Sequence, residues 1–191
     1  MLKFAELHGL IMTEPIKDKS IVKNIMKSLE GENQRNAIMF GLGIYCGFRI
    51  SDILKLRVKD VRKKWNLKIK QQKTGKVINI PLNRELKKLI DKYTEEMKDD
   101  DYLIKSRKGI NRPITRTQAY RIMKEIEEYF NIENLGCHGT RKTFAYWLYM
   151  DNKKDIGLVQ KALGHQSSAT TLAYIGMDTE RLNNAIKKIR Y

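Results

Sequence analysis

Residues 138–174 read HGTRKTFAYWLYMDNKKDIGLVQKALGHQSSATTLAY. They hold His138 and His165, two of the three histidines in the chain, with Arg141 three residues after the first and Tyr174 nine after the second. His138 and Arg141, at i and i+3, project from one face of a helix and can share a substrate. The planar guanidinium of Arg141 suits two phosphate oxygens at once. His165 follows Gly164 at a helix end, where it can add a hydrogen bond or a proton transfer. A phenol with an ordinary pKa near 10 is a weak nucleophile, but beside an arginine and a histidine Tyr174 can lose its proton as it attacks. One arginine is little positive charge for phosphate chemistry, so further cations have to come from elsewhere in the chain.

Two other stretches supply them. In GFRISDILKL (47–56), Gly47 breaks an apolar helix, and Arg49 stands at the junction where the next helical spacing, Ile50, Ile53 and Leu54, begins. Held there, Arg49 is a second fork, and two forks would stabilise the negative charge of a five-coordinate phosphoryl transition state. Further on, Trp65, Leu67 and Ile69 alternate with Asn66, Lys68 and Lys70, and Ile78, Ile80 and Leu82 alternate with Val77 and Asn79. Between them KTGK (73–76) makes a hairpin turn in which Gly75 can take positive φ. Lys73 at its tip can protonate a leaving 5′ oxygen; Lys76 stands close enough in sequence to leave the choice between them open.

The remainder predicts a mainly helical domain. Helical spacing runs from Asp18 to Gly31, from Asn33 to Cys46 and from Arg84 to Lys98. Another helix is opened by Pro113 with Thr115 or Thr117 and carries Ala119, Ile122, Met123, Ile126 and Phe130. The His138 helix, 156–163, 168–174 and 179–189 complete the set. Residues 1–17, with Pro15, read as an N-terminal tail, and 18–191 as one domain, a size that a single core can support. Tyr45, Tyr146 and Tyr149 share helical spacing with apolar neighbours and read as core.

A net charge of +16 over 191 residues points to a polyanionic partner, nucleic acid first. No stretch approaches the roughly 18 apolar residues of a membrane span, and the first residues lack the pattern of a signal peptide. A cytoplasmic protein is therefore expected. Ten lysines and arginines lie between Lys55 and Lys76 against one acid, whereas Glu85 to Asp101 holds seven acids and four bases. Charge sided in this way exceeds what solubility asks for. Lys76, Arg107, Lys108, Arg112, Arg116 and Arg121 are candidate DNA contacts, a solvated helix face being the alternative. Cys46 and Cys137 read as small buried thiols, and the spacing of Cys137, His138 and His165 fits no usual zinc pair, so no metal is expected.

GFRISDILKL, QQKTGKVINIPL, HGTRKTF and LGHQSSATTLAY together resemble the motifs of the tyrosine recombinases, the family of phage and transposon integrases. The resemblance covers roughly Asp18 to the C-terminus. It implies the catalytic fold of that family, a helical bundle with a small antiparallel sheet at one edge (mainly α, or α+β). It implies catalytic roles for Arg49, Lys73, His138, Arg141, His165 and Tyr174, with Asp52 helping to hold Arg49. Tyr174 would join the 3′ phosphate covalently and free a 5′ hydroxyl, with no metal, ATP or other cofactor. Double-stranded DNA is the implied partner, in the cytoplasm of a bacterium and associated with its nucleoid, and tetramers on paired DNA sites are the implied assembly, with monomers in free solution. The 179–191 segment would dock on a neighbouring copy. Family members usually carry a separate helical domain ahead of the catalytic one, and fewer than twenty residues precede the first helix here, as in short single-domain invertases or an integrase fragment. A type IB topoisomerase shares the chemistry, and a DNA-binding regulator or integrase remnant without strand exchange is the other reading.

Overall fold

A computed structural model describes residues 13–175 and 186–189. Nine helices and two strands follow one another among these residues: α1 (Lys19–Glu32), α2 (Gln34–Cys46), α3 (Ile50–Ile53), α4 (Val58–Val61), β1 (Asn66–Lys70), β2 (Val77–Pro81), α5 (Arg84–Thr94), α6 (Arg116–Tyr129), α7 (Gly136–Asp151), α8 (Ile156–Leu163) and α9 (Ser168–Tyr174). The expected mainly helical architecture with one small antiparallel sheet is what forms.

Short polar side chains decide where most helices start, each accepting a hydrogen bond from an otherwise unpaired N–H of the first turn. Asp18, Asn33, Asn83, Thr115, Asp155 and Ser167 do this for α1, α2, α5, α6, α8 and α9. Thr115, not Thr117, opens α6, and Gln118 reaches back to the Thr115 N–H to complete a capping box. α7 begins differently: its Gly136 N–H donates to Oε1 of the buried Glu127 at 2.6 Å.

Three expectations shift. Residues 58–61 form the short helix α4, closed by Asp60 accepting from the Arg57 N–H. α5 stops at Thr94 instead of running to Lys98, because the Arg62 guanidinium takes the carbonyls of Thr94 and Met97. Trp65 lies before β1 and is exposed, with Lys87 Nζ over its ring, so only Leu67, Ile69 and Ile78 form the buried face of the hairpin. The register pairs Ile69 with Ile78 and Lys70 with Val77, which leaves 71–76 as the connecting loop.

α2 is buried on nearly every side and forms the centre of the main core with Phe48, Ile53, Leu86, Ile90, Met123 and Ile126. α7 crosses it closely: a Cβ on Gly43 would fall 2.4 Å from Thr140 Oγ1. A second core gathers Ala145, Tyr146 and Tyr149 of α7 with Val159, Leu163 and Ile175. Between the two cores α7 holds His138 and Arg141.

Of the tail expected over 1–17, residues up to Met12 lie outside the described residues. From Thr13 the chain is fastened along α7: Ile16 is buried, its N–H donates to Thr143 Oγ1 at 2.9 Å, and its carbonyl accepts from Trp147 Nε1 at 2.9 Å. Gly139 leaves room for this contact, since a Cβ there would fall 2.8 Å from the Glu14 carbonyl. Of the helix expected over 179–189, only 186–189 are described, with Ile186 and Ile189 exposed.

Candidate active site

Arg49, Lys73, His138, Arg141, His165 and Tyr174 line one open cleft of about 820 Å³, together with Arg116. Five separate parts of the chain bring them there. Arg49 precedes α3 in extended conformation, just after the left-handed Gly47 (φ 64°) that ends α2. Lys73 stands on the loop between β1 and β2. His138 and Arg141 come from α7, His165 from the turn after α8, and Tyr174 from the end of α9.

Arg141 is the joint of the site. Its side chain is 1% exposed, and its two terminal nitrogens donate to the carbonyls of Gly47 and Leu163, the second at 2.9 Å. One carbonyl closes α2 ahead of Arg49 and the other closes α8 ahead of His165, so a single guanidinium ties three motifs together. The fork expected to face phosphate thus spends two of its five N–H groups on the fold. Burial pulls this guanidinium down to about 10, which leaves it charged at neutral pH.

Tyr174 is partly buried, but its hydroxyl oxygen is enclosed and has no partner in full hydrogen-bond geometry; the same is true of Arg49 Nη1. Both atoms are buried, and buried polar atoms are normally paired. Burial pushes the phenol above its ordinary pKa, while the charges of Arg141 and Arg49, with the Arg141 guanidinium within hydrogen-bonding reach of the oxygen, pull it back. The orphaned hydroxyl therefore sits in a positive field and remains protonated at neutral pH.

Both cleft histidines are neutral at pH 7. Burial is the first cause and the neighbouring arginines the next, which lower His138 below its usual value and His165 to about 4. The His165 tautomer follows from its surroundings. Thr171 Oγ1 gives its one proton to the Ser167 carbonyl at 3.0 Å, so at 3.2 Å from His165 Nδ1 it acts as acceptor. Nδ1 then carries the ring proton, and Nε2 is left with its lone pair. The ring meets Tyr174 edge to face with centroids 5.2 Å apart.

Asp52 departs from its expected role. It is buried, yet makes no ion pair with Arg49; its Oδ1 accepts from the Gln72 N–H at 3.0 Å and so steadies the lysine loop. Lys73 lines the cleft, whereas Lys76 sends its ammonium to the Gly164 carbonyl at 3.3 Å and borders a neighbouring recess beside His165.

The candidate DNA contacts divide. Arg116 joins the cleft. Arg107, Lys108 and Arg121 line a separate recess of about 370 Å³ with Arg35 and Asn36. Arg112 lines neither, and its carbonyl accepts from the Ser106 N–H at 2.7 Å. The sided charge of the sequence is partly folded back on itself, because Lys59 pairs with Asp100 and Arg62 with Asp99 at 2.7 Å each. Burial raises the thiols of Cys46 to about 12 and Cys137 to about 11, which suits inert packing. Among the described residues no three His, Cys, Asp or Glu side chains stand together as metal ligands, and no helix is long and apolar enough to cross a membrane.

The family model of the phage integrase family matches residues 17–181. The chain belongs to that family. It is 39% identical to the probable integrase/recombinase YoeC of Bacillus subtilis over 176 residues, which cover 92% of this chain and 96% of that protein. It is 27% identical to the tyrosine recombinase XerA of Pyrococcus horikoshii, covering 93% of this chain but only 66% of the relative. Among solved structures, a crystal structure of XerA recombinase superposes with a TM-score of 0.73 at 21% identity, over 94% of this chain and 67% of that one. A post-cleavage complex of the XerH site-specific recombinase with its difH substrate superposes with a TM-score of 0.72 at 23% identity, over 94% of this chain and 54% of that one. These likenesses establish the family fold.

Reading residues alone misses the supports: Glu127 at the start of α7, Thr171 behind His165, and Gln71 under the lysine loop. Each is an ordinary polar residue in sequence. Gln71 and Thr171 lie inside motifs, and nothing there marks either as buried.

Proposed function

We propose that this protein is a site-specific DNA recombinase that cuts and rejoins strands through a covalent link between Tyr174 and a 3′ phosphate. The observation that carries the reading is the pair of buried, unpartnered polar atoms, Arg49 Nη1 and the Tyr174 hydroxyl, in one cleft with Arg141, both histidines and Lys73. A phosphodiester in the cleft gives both atoms a partner. The Tyr174 oxygen attacks phosphorus as its proton passes to a neutral imidazole. The bond to the 5′ oxygen then breaks, and that oxygen takes a proton from the Lys73 ammonium. Arg49 and the free N–H groups of Arg141 hold the extra charge of the five-coordinate state. Attack by a 5′ hydroxyl of another strand reverses the sequence, and the phosphotyrosyl bond conserves the energy for it.

Double-stranded DNA is the partner this chemistry needs, and Arg116 and Lys76 continue positive charge outward from the cleft. Exchange between two duplexes requires four active sites, so assembly into tetramers on paired DNA is part of the proposal, as is residence with the chromosome in the cytoplasm. The test is incubation with nicked suicide DNA carrying the target site, followed by denaturing electrophoresis. A covalent protein–DNA band that disappears in Y174F is expected. A band of equal strength in Y174F would remove Tyr174 as nucleophile, and DNA binding with no band at all would turn the reading to a binding protein without turnover.

A further inference from the structure

Lys73 is exposed on the loop 71–76, beyond the last β1–β2 pair, and an exposed lysine on a short loop has no fixed place of its own. Within this loop one side chain is different. Gln71 is 1% exposed, and both ends of its amide are engaged: Nε2 donates to the Leu163 carbonyl at 3.1 Å, and Oε1 accepts from Thr74 Oγ1 at 2.7 Å. Its backbone closes the loop as well, the N–H donating to the Lys76 carbonyl and the carbonyl accepting from the Gly75 N–H, each at 2.8 Å.

The acceptor on the far side matters most. Leu163 ends α8, directly before Gly164 and His165, and its carbonyl also receives Arg141 Nη2 at 2.9 Å. Gln71 and Arg141 therefore grip the same oxygen. Gly164, in left-handed conformation at φ 69°, lets the amide come this close, since a Cβ there would stand 3.2 Å from Gln71 Oε1. The loop that carries Lys73 is thereby referenced to the same atom as the guanidinium that faces the phosphate. Thr74, the residue just after Lys73, receives the constraint directly from the buried amide.

We infer that Gln71 is the positioning residue of the lysine loop: it holds Lys73 at the distance from Arg141 and His165 at which its proton can reach the leaving 5′ oxygen. Gln71 touches no substrate and acts only through Lys73. The inference rests on the reading of Lys73 as the proton donor. Asp52, through the Gln72 N–H, and Lys76, through the Gly164 carbonyl, tether the same loop, but the Gln71 amide is the one tether buried away from competing water.

The experiment compares single-turnover cleavage of two suicide duplexes by the full chain: one with the normal 5′ oxygen and one with sulfur in the bridging position. Thiolate leaves without a proton, so loss of proton donation is repaired by sulfur, whereas general damage to the site is not. K73A should slow the oxygen substrate by about 100-fold or more and cleave the sulfur substrate within about threefold of wild type. Q71L, close in volume but without the amide, should slow the oxygen substrate by about 10- to 100-fold, as a misplacement of about 1 Å does, and should likewise be repaired by sulfur. T74V should show the same selective loss to a smaller extent, and T74S should restore it.

If K73A stays slow with sulfur, the Lys73 reading fails and the inference with it. If K73A is repaired but Q71L is slow on both substrates, or slow on neither, the Gln71 inference alone is overturned. Should Q71L fail to fold, the exposed Thr74 carries the test: a selective loss in T74V with recovery in T74S supports the inference, and equal rates for T74V and wild type on oxygen overturn it.

Discussion

Replacing Tyr174 with phenylalanine should make the DNA-free protein more stable while it abolishes the covalent link. The Tyr174 hydroxyl is buried and meets no donor or acceptor in hydrogen-bond geometry. Leaving such a group unsatisfied costs about 1–3 kcal/mol relative to solvation in water. Phenylalanine removes the oxygen and keeps the ring, so the packing against His165 and the second core survives. Against this stands the pull of Arg49 and of Arg141, whose guanidinium lies within hydrogen-bonding reach of the phenol oxygen though out of full geometry, which returns part of the loss. The balance is a gain of about 1 kcal/mol, or roughly 2–4 °C in Tm for a domain of this size. Thermal and urea unfolding of both proteins without DNA measure it, with near-ultraviolet circular dichroism to show that the folded states match. A loss of 1 kcal/mol or more in Y174F would refute the reasoning, because it would mean that the hydroxyl is well bonded before DNA arrives. The cleft would then have to break a bond in order to react, and its description as a site waiting for phosphate would fall.

Two other predictions follow from the same geometry. R141M should destabilise the protein by about 2–4 kcal/mol, because it leaves the Gly47 carbonyl unpaired in the interior and cuts the tie to Leu163; urea unfolding checks this, and a change below about 1 kcal/mol would show that Arg141 serves the chemistry alone. His165, followed by the NMR signals of its ring, should take its proton near pH 4 in the free protein. Because the unfolded chain takes that proton near 6.5, it binds more protons than the folded one between these values, so His165 makes stability fall as pH drops from 6.5 toward 4. Adding target DNA should raise the midpoint, since phosphate favours the imidazolium; a free-state midpoint at or above 6.5 would contradict the burial of the ring among Arg141 and Arg49.

Much of the fold is legible without coordinates, because the cues are local. Asn33, Asn83, Asp155 and Ser167 stand where short polar side chains can bond the first N–H groups of a helix, and Gly47 and Gly164 stand where a helix has to end in left-handed conformation. The alternation around KTGK likewise sets the hairpin. Where expectation and structure part, a distant residue intervenes. α5 ends early because Arg62, far back in the chain, takes the carbonyl of its last residue, Thr94, and that of Met97 beyond it. Asp52 turns to the Gln72 N–H, and nothing in GFRISDILKL announces that neighbour. The basic stretch after Lys55 is partly neutralised by the acids at 99 and 100, a pairing across about 40 residues that composition does not show.

The candidate site divides in the same way. By itself, the amino-acid sequence determined which groups the chain owns and the order in which they come: two arginines, two histidines, a lysine and a tyrosine, each in a short motif whose helix or turn is set by nearest neighbours. Only the tertiary structure decided which of these groups meet. It put Lys73 on the cleft wall and sent Lys76 to the Gly164 carbonyl, spent two N–H groups of Arg141 on the fold, and left Arg49 Nη1 and the Tyr174 hydroxyl unpartnered. The reason is physical. Local structure follows from steric and hydrogen-bonding rules over a few residues, whereas burial, pKa and hydrogen-bond supply depend on atoms brought together from opposite ends of the chain.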